Sequence, residues 1–259
     1  MTKLELAIED LYSVFASYTA PQDPSFGLWG YHNYSPEAIS QLMDIPLRGI
    51  TNDAIQGYTC EAFLYWGDLT DFKYFLPRVL EMLVKFEDKW LDDQMIFGRL
   101  NYEAPLSSWA LQEQTVILTF AQAWLEDKFV TEYKSGAEDY YWWEDQICAL
   151  SCAYDDIIPF LQFWLESNDM NANFNFSDFI VGFLENQTKE MQCAYWGNDP
   201  ETPYRTVETW LLTSPTLTIL RQRQIEYAQN PHSTIISKAI QLIEHEQAKL
   251  RYTPTTQPI

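Results

Sequence analysis

Four helix starts are indicated in this chain where a residue that commonly caps a helix is followed directly by proline. Serine, threonine or asparagine at the N-cap accepts a hydrogen bond from the first turn, and proline suits the first helical position because no backbone donor is needed there. Each pair therefore predicts the start of a helix, and no stretch alternates convincingly between apolar and polar residues as a half-buried strand does. The four pairs are Ser35-Pro36, Thr202-Pro203, Ser214-Pro215 and Asn230-Pro231.

Helical periodicity extends through the rest of the chain. Leu111, Leu118 and Leu125, spaced by sevens, place a β-like apolar run inside a longer helix. Gly67 and Gly197 each follow a Tyr-Trp pair and are predicted to adopt the left-handed conformation beyond a helix end. We predict an all-α protein forming a single domain over residues 1–259, with helices near 2–18, 36–44, 52–66, 71–89, 107–128, 138–153, 156–167, 177–196, 203–213, 215–229 and 231–251.

A short internal repeat indicates how these helices are arranged. Residues 71–81 align without gaps onto residues 156–166, with five of eleven positions identical. The repeat offset of 85 residues and the 130 residues between two Tyr-Trp-Gly sites are about two and three times 43, within the range of helical-hairpin repeats. Two architectures remain open: a short HEAT-like helical-hairpin solenoid and an irregular multi-helix bundle.

The segment Trp-Gly-Asp-Leu-Thr-Asp-Phe-Lys-Tyr-Phe-Leu-Pro-Arg-Val-Leu-Glu, residues 66–81, resembles a motif of uncharacterised bacterial proteins that are similar to HEAT-type helical repeats. It covers under a tenth of the chain. The resemblance implies a helical-repeat fold and a bacterial origin, and it supplies no catalytic residues.

Within this motif, helical spacing separates an inward face from an outward one. Lys73 and Glu81 are expected nearer solvent, and Pro77 is expected to kink or divide the helix. We expect Arg78 to pair with a carboxylate such as Asp68 or Glu81. The residues predicted to pack inward are Phe72, Phe75, Leu76, Val79 and Leu80.

The charge of the chain restricts its partners. Asp and Glu number 37 against 16 Lys and Arg, a net charge of −21 that repels nucleic acids and anionic membrane surfaces and attracts basic proteins. No apolar run is long enough to predict a membrane span or a signal peptide. Four scattered cysteines suit reduced thiols, so we expect a cytoplasmic protein.

The acidic residues are concentrated in one region, where large aromatics accompany them. Residues 126–169 hold eleven acids against two lysines. Exposed tyrosine and tryptophan beside carboxylates can bind lysine or arginine by ion pairing and cation–π contact. In the alternative, both tryptophans pack between helices and the acids only solvate their rims. The predicted partner-binding residues are Glu138, Asp139, Tyr140, Trp142, Trp143, Glu144, Asp145, Asp155 and Asp156.

No pattern in the sequence indicates catalysis, a cofactor or a metal. Adjacent acids on a helix diverge by about 100 degrees, so the acid pairs do not converge as metal ligands or as an acid and base do. The three histidines lie at no metal-ligand spacing. Cys148 and Cys152, four residues apart, are typical of small core residues on one helix face. We therefore expect a non-enzymatic protein.

Together these observations favour a protein that binds and neutralises a basic protein, as bacterial immunity proteins do when they block a cationic toxin domain. Two other classes remain open. One is an enzyme on a helical scaffold that acts on a cationic or hydrophobic small molecule. The other is an adaptor whose solenoid face binds helices.

Overall fold

Helices form the regular structure of this protein. A computed structural model describes residues 1–21, 42–62, 67–85, 92–134, 142–186, 188, 201–213 and 215–252. In these ranges no β-strand forms, which confirms the prediction of an all-α fold. The α-helices are α1 (Lys3–Val14), α2 (Asn52–Glu61), α3 (Leu69–Lys85), α4 (Asp93–Gly98), α5 (Leu111–Phe129), α6 (Trp142–Ala153), α7 (Ile158–Leu165), α8 (Met170–Glu185), α9 (Glu201–Thr213), α10 (Thr216–Glu226) and α11 (Ser233–Tyr252).

None of the helices in these ranges combines the length and the apolar character needed to cross a bilayer.

The predicted capping signals locate helix starts to within about one turn. Pro203 lies in the first turn of α9, and Pro215 is itself the N-cap of α10. At Asn230 the side chain instead accepts a hydrogen bond from the amide of His232 at 2.9 Å, and α11 begins only at Ser233. The Ser35-Pro36 pair and Gly197 lie outside the described residues, whereas Gly67 has the predicted left-handed conformation, with φ of 70°.

The chain divides into two compact units. Unit 1 comprises residues 1–125 and 149–155, and unit 2 comprises residues 126–148 and 156–259. Two of the three divisions fall inside α5 and α6, and the third falls between α6 and α7.

Helix α3 is the central element of unit 1. Its N-cap is Asp68, whose carboxylate accepts hydrogen bonds from the amides of Thr70 and Asp71, while Asp71 accepts one from the amide of Asp68. The five apolar residues predicted to face inward are fully buried. The helix runs uninterrupted through Pro77, so a division of the helix there is wrong, whereas the predicted kink stays a prediction.

The prediction that Lys73 and Glu81 lie near solvent is also wrong. Lys73 is only 8% exposed and Glu81 only 3%. Glu81 accepts hydrogen bonds from the Tyr12 hydroxyl at 2.6 Å, from Arg78 at 3.0 Å and from Lys85. The predicted pairing of Arg78 with Glu81 is thereby confirmed. Tyr12 reaches the buried Glu81 from α1, whereas Arg78 and Lys85 lie on α3 itself.

A second buried cluster surrounds Glu113 at the start of α5. The Lys73 ammonium lies 2.7 Å from one Glu113 carboxylate oxygen and 4.4 Å from the centre of the Trp109 ring. The Tyr18 hydroxyl donates to the other oxygen, and the Ala110 amide donates at 3.1 Å. Burial alone would raise the pKa of the Glu113 carboxyl, but the hydrogen bonds from Lys73 and Tyr18 outweigh it and lower that pKa.

This lowered pKa predicts how stability responds to acid. A carboxylate whose pKa is lower in the folded protein stabilises the fold above its unfolded pKa, and that contribution is lost as the pH falls through the folded pKa. Glu113→Gln should therefore be less stable than wild type at neutral pH, and the difference should close below about pH 4. Urea denaturation across this pH range measures it.

The matched control is Glu9→Gln, because the exposed Glu9–Arg48 pair at 2.6 Å contributes little. A difference between wild type and Glu113→Gln that stays constant from neutral to acid pH would show that the charge of Glu113 does not stabilise the fold.

Unit 2 is built around α8, which packs against α7 and α11. Trp164 stacks on Phe129 with ring centroids 5.7 Å apart, and its indole nitrogen donates to the Ala172 carbonyl at 3.0 Å. The buried Asn175 side chain donates to the carbonyls of Phe129 and Thr131, at 3.0 and 2.9 Å, and so closes the C-terminal end of α5. Aromatic stacking and amide caps thus hold this unit together.

The two copies of the sequence repeat adopt different local structures. The first copy, residues 71–81, lies wholly inside α3, a helix of 17 residues. The second copy, residues 156–166, begins before the eight-residue α7, in which Pro159 occupies the first turn. Sequence similarity here does not produce equal helices.

The expectation of four reduced thiols is corrected at one position. Cys148 is disulfide-bonded, whereas Cys60 and Cys152 are thiols outside any disulfide. Burial raises the pKa of the Cys152 thiol to about 12, so this thiol is a poor nucleophile at neutral pH.

Candidate functional site

The predicted acidic and aromatic segment is only partly described. Glu138, Asp139 and Tyr140 lie outside the described residues. Trp142, Trp143 and Glu144 form the first residues of α6, and their side chains lie outside the described part of the chain. The exposure of the two tryptophans therefore stays a prediction.

The three remaining predicted acids are exposed. Asp145 lies on α6 in unit 2. Asp156, also in unit 2, accepts a hydrogen bond from the Ile158 amide at 3.0 Å, which supports the start of α7. Asp155 belongs to unit 1 and lines a groove there.

All residues that line this groove belong to unit 1. Its volume is about 510 Å³, within the range of pockets that hold ligands or side chains of a partner. Three segments line it: the connection before α5, one face of the first half of α5, and the end of α6. The lining residues are Asn101, Pro105, Leu106, Ser107, Leu111, Gln114, Thr115, Leu118, Ala153, Tyr154 and Asp155.

Asn101 joins the first of these segments to the last. Its amide nitrogen donates to the carbonyls of Cys152 and Ala153, at 2.9 and 3.0 Å, and its amide oxygen accepts from the Leu106 amide at 2.7 Å. The carbonyls at the end of α6 have no partner within the helix, so Asn101 caps them from a distance. One side chain thus fixes both walls of the groove.

Asn101→Ala is expected to lower the free energy of unfolding by about 1–3 kcal/mol, because buried carbonyls lose their donors. Asn101→Asp keeps the shape and the acceptor for Leu106 but cannot donate, so it should be at least as harmful. Chemical denaturation followed by circular dichroism measures both.

Ser108→Ala, which removes one exposed hydrogen bond at 2.7 Å in the same connection, is the matched control. If Asn101→Asp were as stable as wild type, the two donated hydrogen bonds could not be what holds the groove.

A smaller acidic recess, called here the notch, lies beside the same connection. Its volume is about 270 Å³ and it is lined by Gly67, Asp68, Tyr102 and Glu103. Burial raises the pKa of nearby Asp71, and the charges of Asp68 and Glu103 raise it further. The carboxylates of Asp68 and Glu103 give the notch a negative charge. Among the described residues that line the notch or the groove there is no lysine, arginine or histidine.

One further acid has a structural role. Asp92 is the N-cap of α4, where its carboxylate accepts a hydrogen bond from the Met95 amide at 2.6 Å. Among the described residues, no group of three or more histidine, cysteine or acidic side chains is arranged to hold a metal ion.

The sequence reasoning missed the groove and the notch. Leu111 and Leu118 were used as evidence for a helix, and they are exposed, whereas Leu125 is buried. The buried face of α5 instead follows the stripe Glu113, Val116, Ile117, Phe120, Ala121 and Trp124. A count of helical periodicity along α5 would have placed Leu111 and Leu118 beside this stripe rather than on it.

Comparison with protein-family models, with curated proteins and with solved structures finds no significant match to this chain. The site must therefore be interpreted from its own residues.

Proposed function

We propose that this protein binds a basic protein partner and blocks its activity, as an immunity protein does to a cationic toxin domain. The observation that carries the proposal is charge: 37 acidic residues against 16 basic ones, for a net charge of −21. A field of this sign raises the rate of encounter with a cationic protein. The acids then fix the orientation of the complex.

The placement of individual acids supports the proposal. Asp145, Asp155 and Asp156 are exposed, and Asp155 adjoins an apolar groove. An apolar contact surrounded by charge of one sign is a common arrangement at interfaces between proteins, because the apolar centre gives affinity and the charged rim gives specificity.

The proposal does not depend on the predicted cytoplasmic location. Disulfides are rare in the cytosol, where thiols are kept reduced, and Cys148 is disulfide-bonded. The disulfide therefore argues against that location, and a partner encountered in an oxidising compartment fits the same charge argument.

Capture of the partner from cells that express the native protein, followed by reconstitution from purified components, tests the proposal. We expect a basic protein that forms a stoichiometric complex and loses its own activity in that complex. Asp145→Lys should weaken the complex, and the control Asp10→Lys, an exposed acid on α1, should change it less. A reconstituted partner that is neutral or acidic, or that keeps full activity, would contradict the proposal.

A further inference from the structure

Two leucines of helix α5 are exposed on the surface and do not pack in the core. Leu111 is 79% exposed and Leu118 is 38% exposed. Seven residues separate them, so they lie about 10 Å apart along one face of the helix. An apolar stripe on the surface, flanked by polar residues, is typical of an interaction site.

Exposed apolar side chains concentrate around this stripe. Eight large hydrophobic side chains are exposed in the described part of the chain, and three of them line the groove or the notch. These three are Leu111, Leu118 and Tyr102, the last of which is 53% exposed. Asn101 lines the groove, and the next two residues, Tyr102 and Glu103, line the notch, so the two recesses are neighbours along the chain.

The charges around the stripe specify the occupant. Asp155 lies at the groove, Asp68 and Glu103 line the notch, and none of the described residues that line either recess is cationic. The nearby Arg99 is buried, donates to the carbonyls of Thr59 and Cys60, and lies 5.2 Å from the Tyr102 ring centre. Its charge is thus directed into unit 1. An apolar segment with lysines or arginines at its edges complements this surface, and an acidic segment would be repelled.

We infer that a basic amphipathic helix of the partner docks on this surface. Its apolar side chains pack against Leu111 and Leu118, and its lysine or arginine side chains lie beside Asp155 and in the notch. A helix presents apolar anchors at the i, i+4 and i+7 spacing that matches two leucines two turns apart on a facing helix. This inference rests on the proposed function and adds the binding surface and the chemistry of the bound segment.

A designed peptide tests the inference without the natural partner. The probe is a helix of about four turns with leucines along one face and lysines on the other. We expect the methyl resonances of Leu106, Leu111 and Leu118 to shift when the peptide is added to the full-length protein. The double substitution Leu111→Asp with Leu118→Asp should weaken binding at least about tenfold, as loss of central apolar anchors does.

Two matched controls separate docking from simple attraction of opposite charges. Ile225→Asp adds one negative charge at a site that is also 79% exposed, and it should leave the peptide affinity unchanged. A peptide of the same composition, scrambled so that its leucines no longer share a face, should bind at least about tenfold more weakly than the probe.

Equal binding of the scrambled peptide, equal affinity for the double variant, or occupation of the groove by a second copy of the chain would overturn the inference. If the purified partner still binds the double variant as it binds wild type, the docking surface is wrong and the proposed function stands. If the partner fails to bind wild type, the proposed function itself is wrong.

Discussion

Glu81→Ala is expected to lower the free energy of unfolding by about 3–5 kcal/mol, because it leaves a buried guanidinium without its carboxylate. Glu81 is 3% exposed and accepts hydrogen bonds from Tyr12, Arg78 and Lys85. Arg78 would keep its bonds to the Ile50 carbonyl, at 3.0 and 2.8 Å, and to Asn52 at 3.2 Å. Those acceptors are neutral and cannot compensate its charge.

Guanidinium chloride denaturation of wild type, Glu81→Ala and Glu81→Gln measures the effect. The glutamine variant keeps an acceptor of the same shape, so it should lie between the other two proteins. Glu9→Ala removes a half-exposed partner of Arg48 and should change stability by less than about 1 kcal/mol. A loss for Glu81→Ala no larger than that of Glu9→Ala would mean that the buried cluster does not stabilise the fold.

Glu113→Leu is expected to have an effect of the same size, about 3–5 kcal/mol, because the Lys73 ammonium then remains buried without an anion. Within the described part of the chain, the ammonium otherwise lies near the rings of Trp109, at 4.4 Å, and Tyr18, at 5.6 Å. These cation–π contacts are worth about 0.5–2 kcal/mol, which is less than the cost of the unpaired charge.

The double variant Lys73→Met with Glu113→Leu tests whether Lys73 and Glu113 act as a pair. Replacing both members of a buried ion pair with apolar residues removes the unpaired charge, so the double variant should be more stable than Glu113→Leu alone. The same denaturation experiment gives the coupling between the two sites. If the two single effects simply add, Lys73 and Glu113 do not act as a pair.

Local sequence patterns predicted the helices well. Capping residues and apolar spacing act over a few residues, so they identified the helical class and the inward face of α3 without knowledge of the rest of the fold. Gly67 was likewise recognised from its neighbours. Some boundaries differ by only a few residues, as at Asp68 for α3. The helix predicted over 177–196 instead begins at Met170 and ends at Glu185, and α4 was not predicted.

Long-range partners account for what the sequence did not predict. Lys73 was expected near solvent, and its partner Glu113 lies 40 residues further along the chain. Glu81 meets Tyr12 across 69 residues. A helical wheel compares a residue only with its own helix, so it treats any charged residue as outward-facing. Only the folded arrangement shows that these charges neutralise each other in the core.

In the candidate site, too, the sequence indicates the local features and not the long-range contacts. The acidic segment of residues 138–145 stands out in the sequence, because composition is a local property. The groove depends on Asn101, which bonds to residues 51 and 52 positions away, and no pattern near Asn101 indicates this. Asp155 is the residue at which the two approaches meet, since it was predicted from composition and it lines the groove.

A HEAT-like arrangement of the helices stays a proposal. The resemblance of residues 66–81 covers α3 and its cap, and the second copy of the internal repeat forms a much shorter helix. An experimental structure of the whole chain would decide between a short solenoid and an irregular bundle by the angles between successive helix pairs.

The association rate of the purified partner, measured by stopped-flow mixing as a function of ionic strength, tests the central claim most directly. If an acidic surface steers and holds a basic protein, the rate constant should fall steeply as salt is added. Asp155→Lys should lower the rate at low salt, while Leu111→Asp should act mainly on dissociation. An association rate that does not change with salt would contradict the claim that charge brings the partner to this protein.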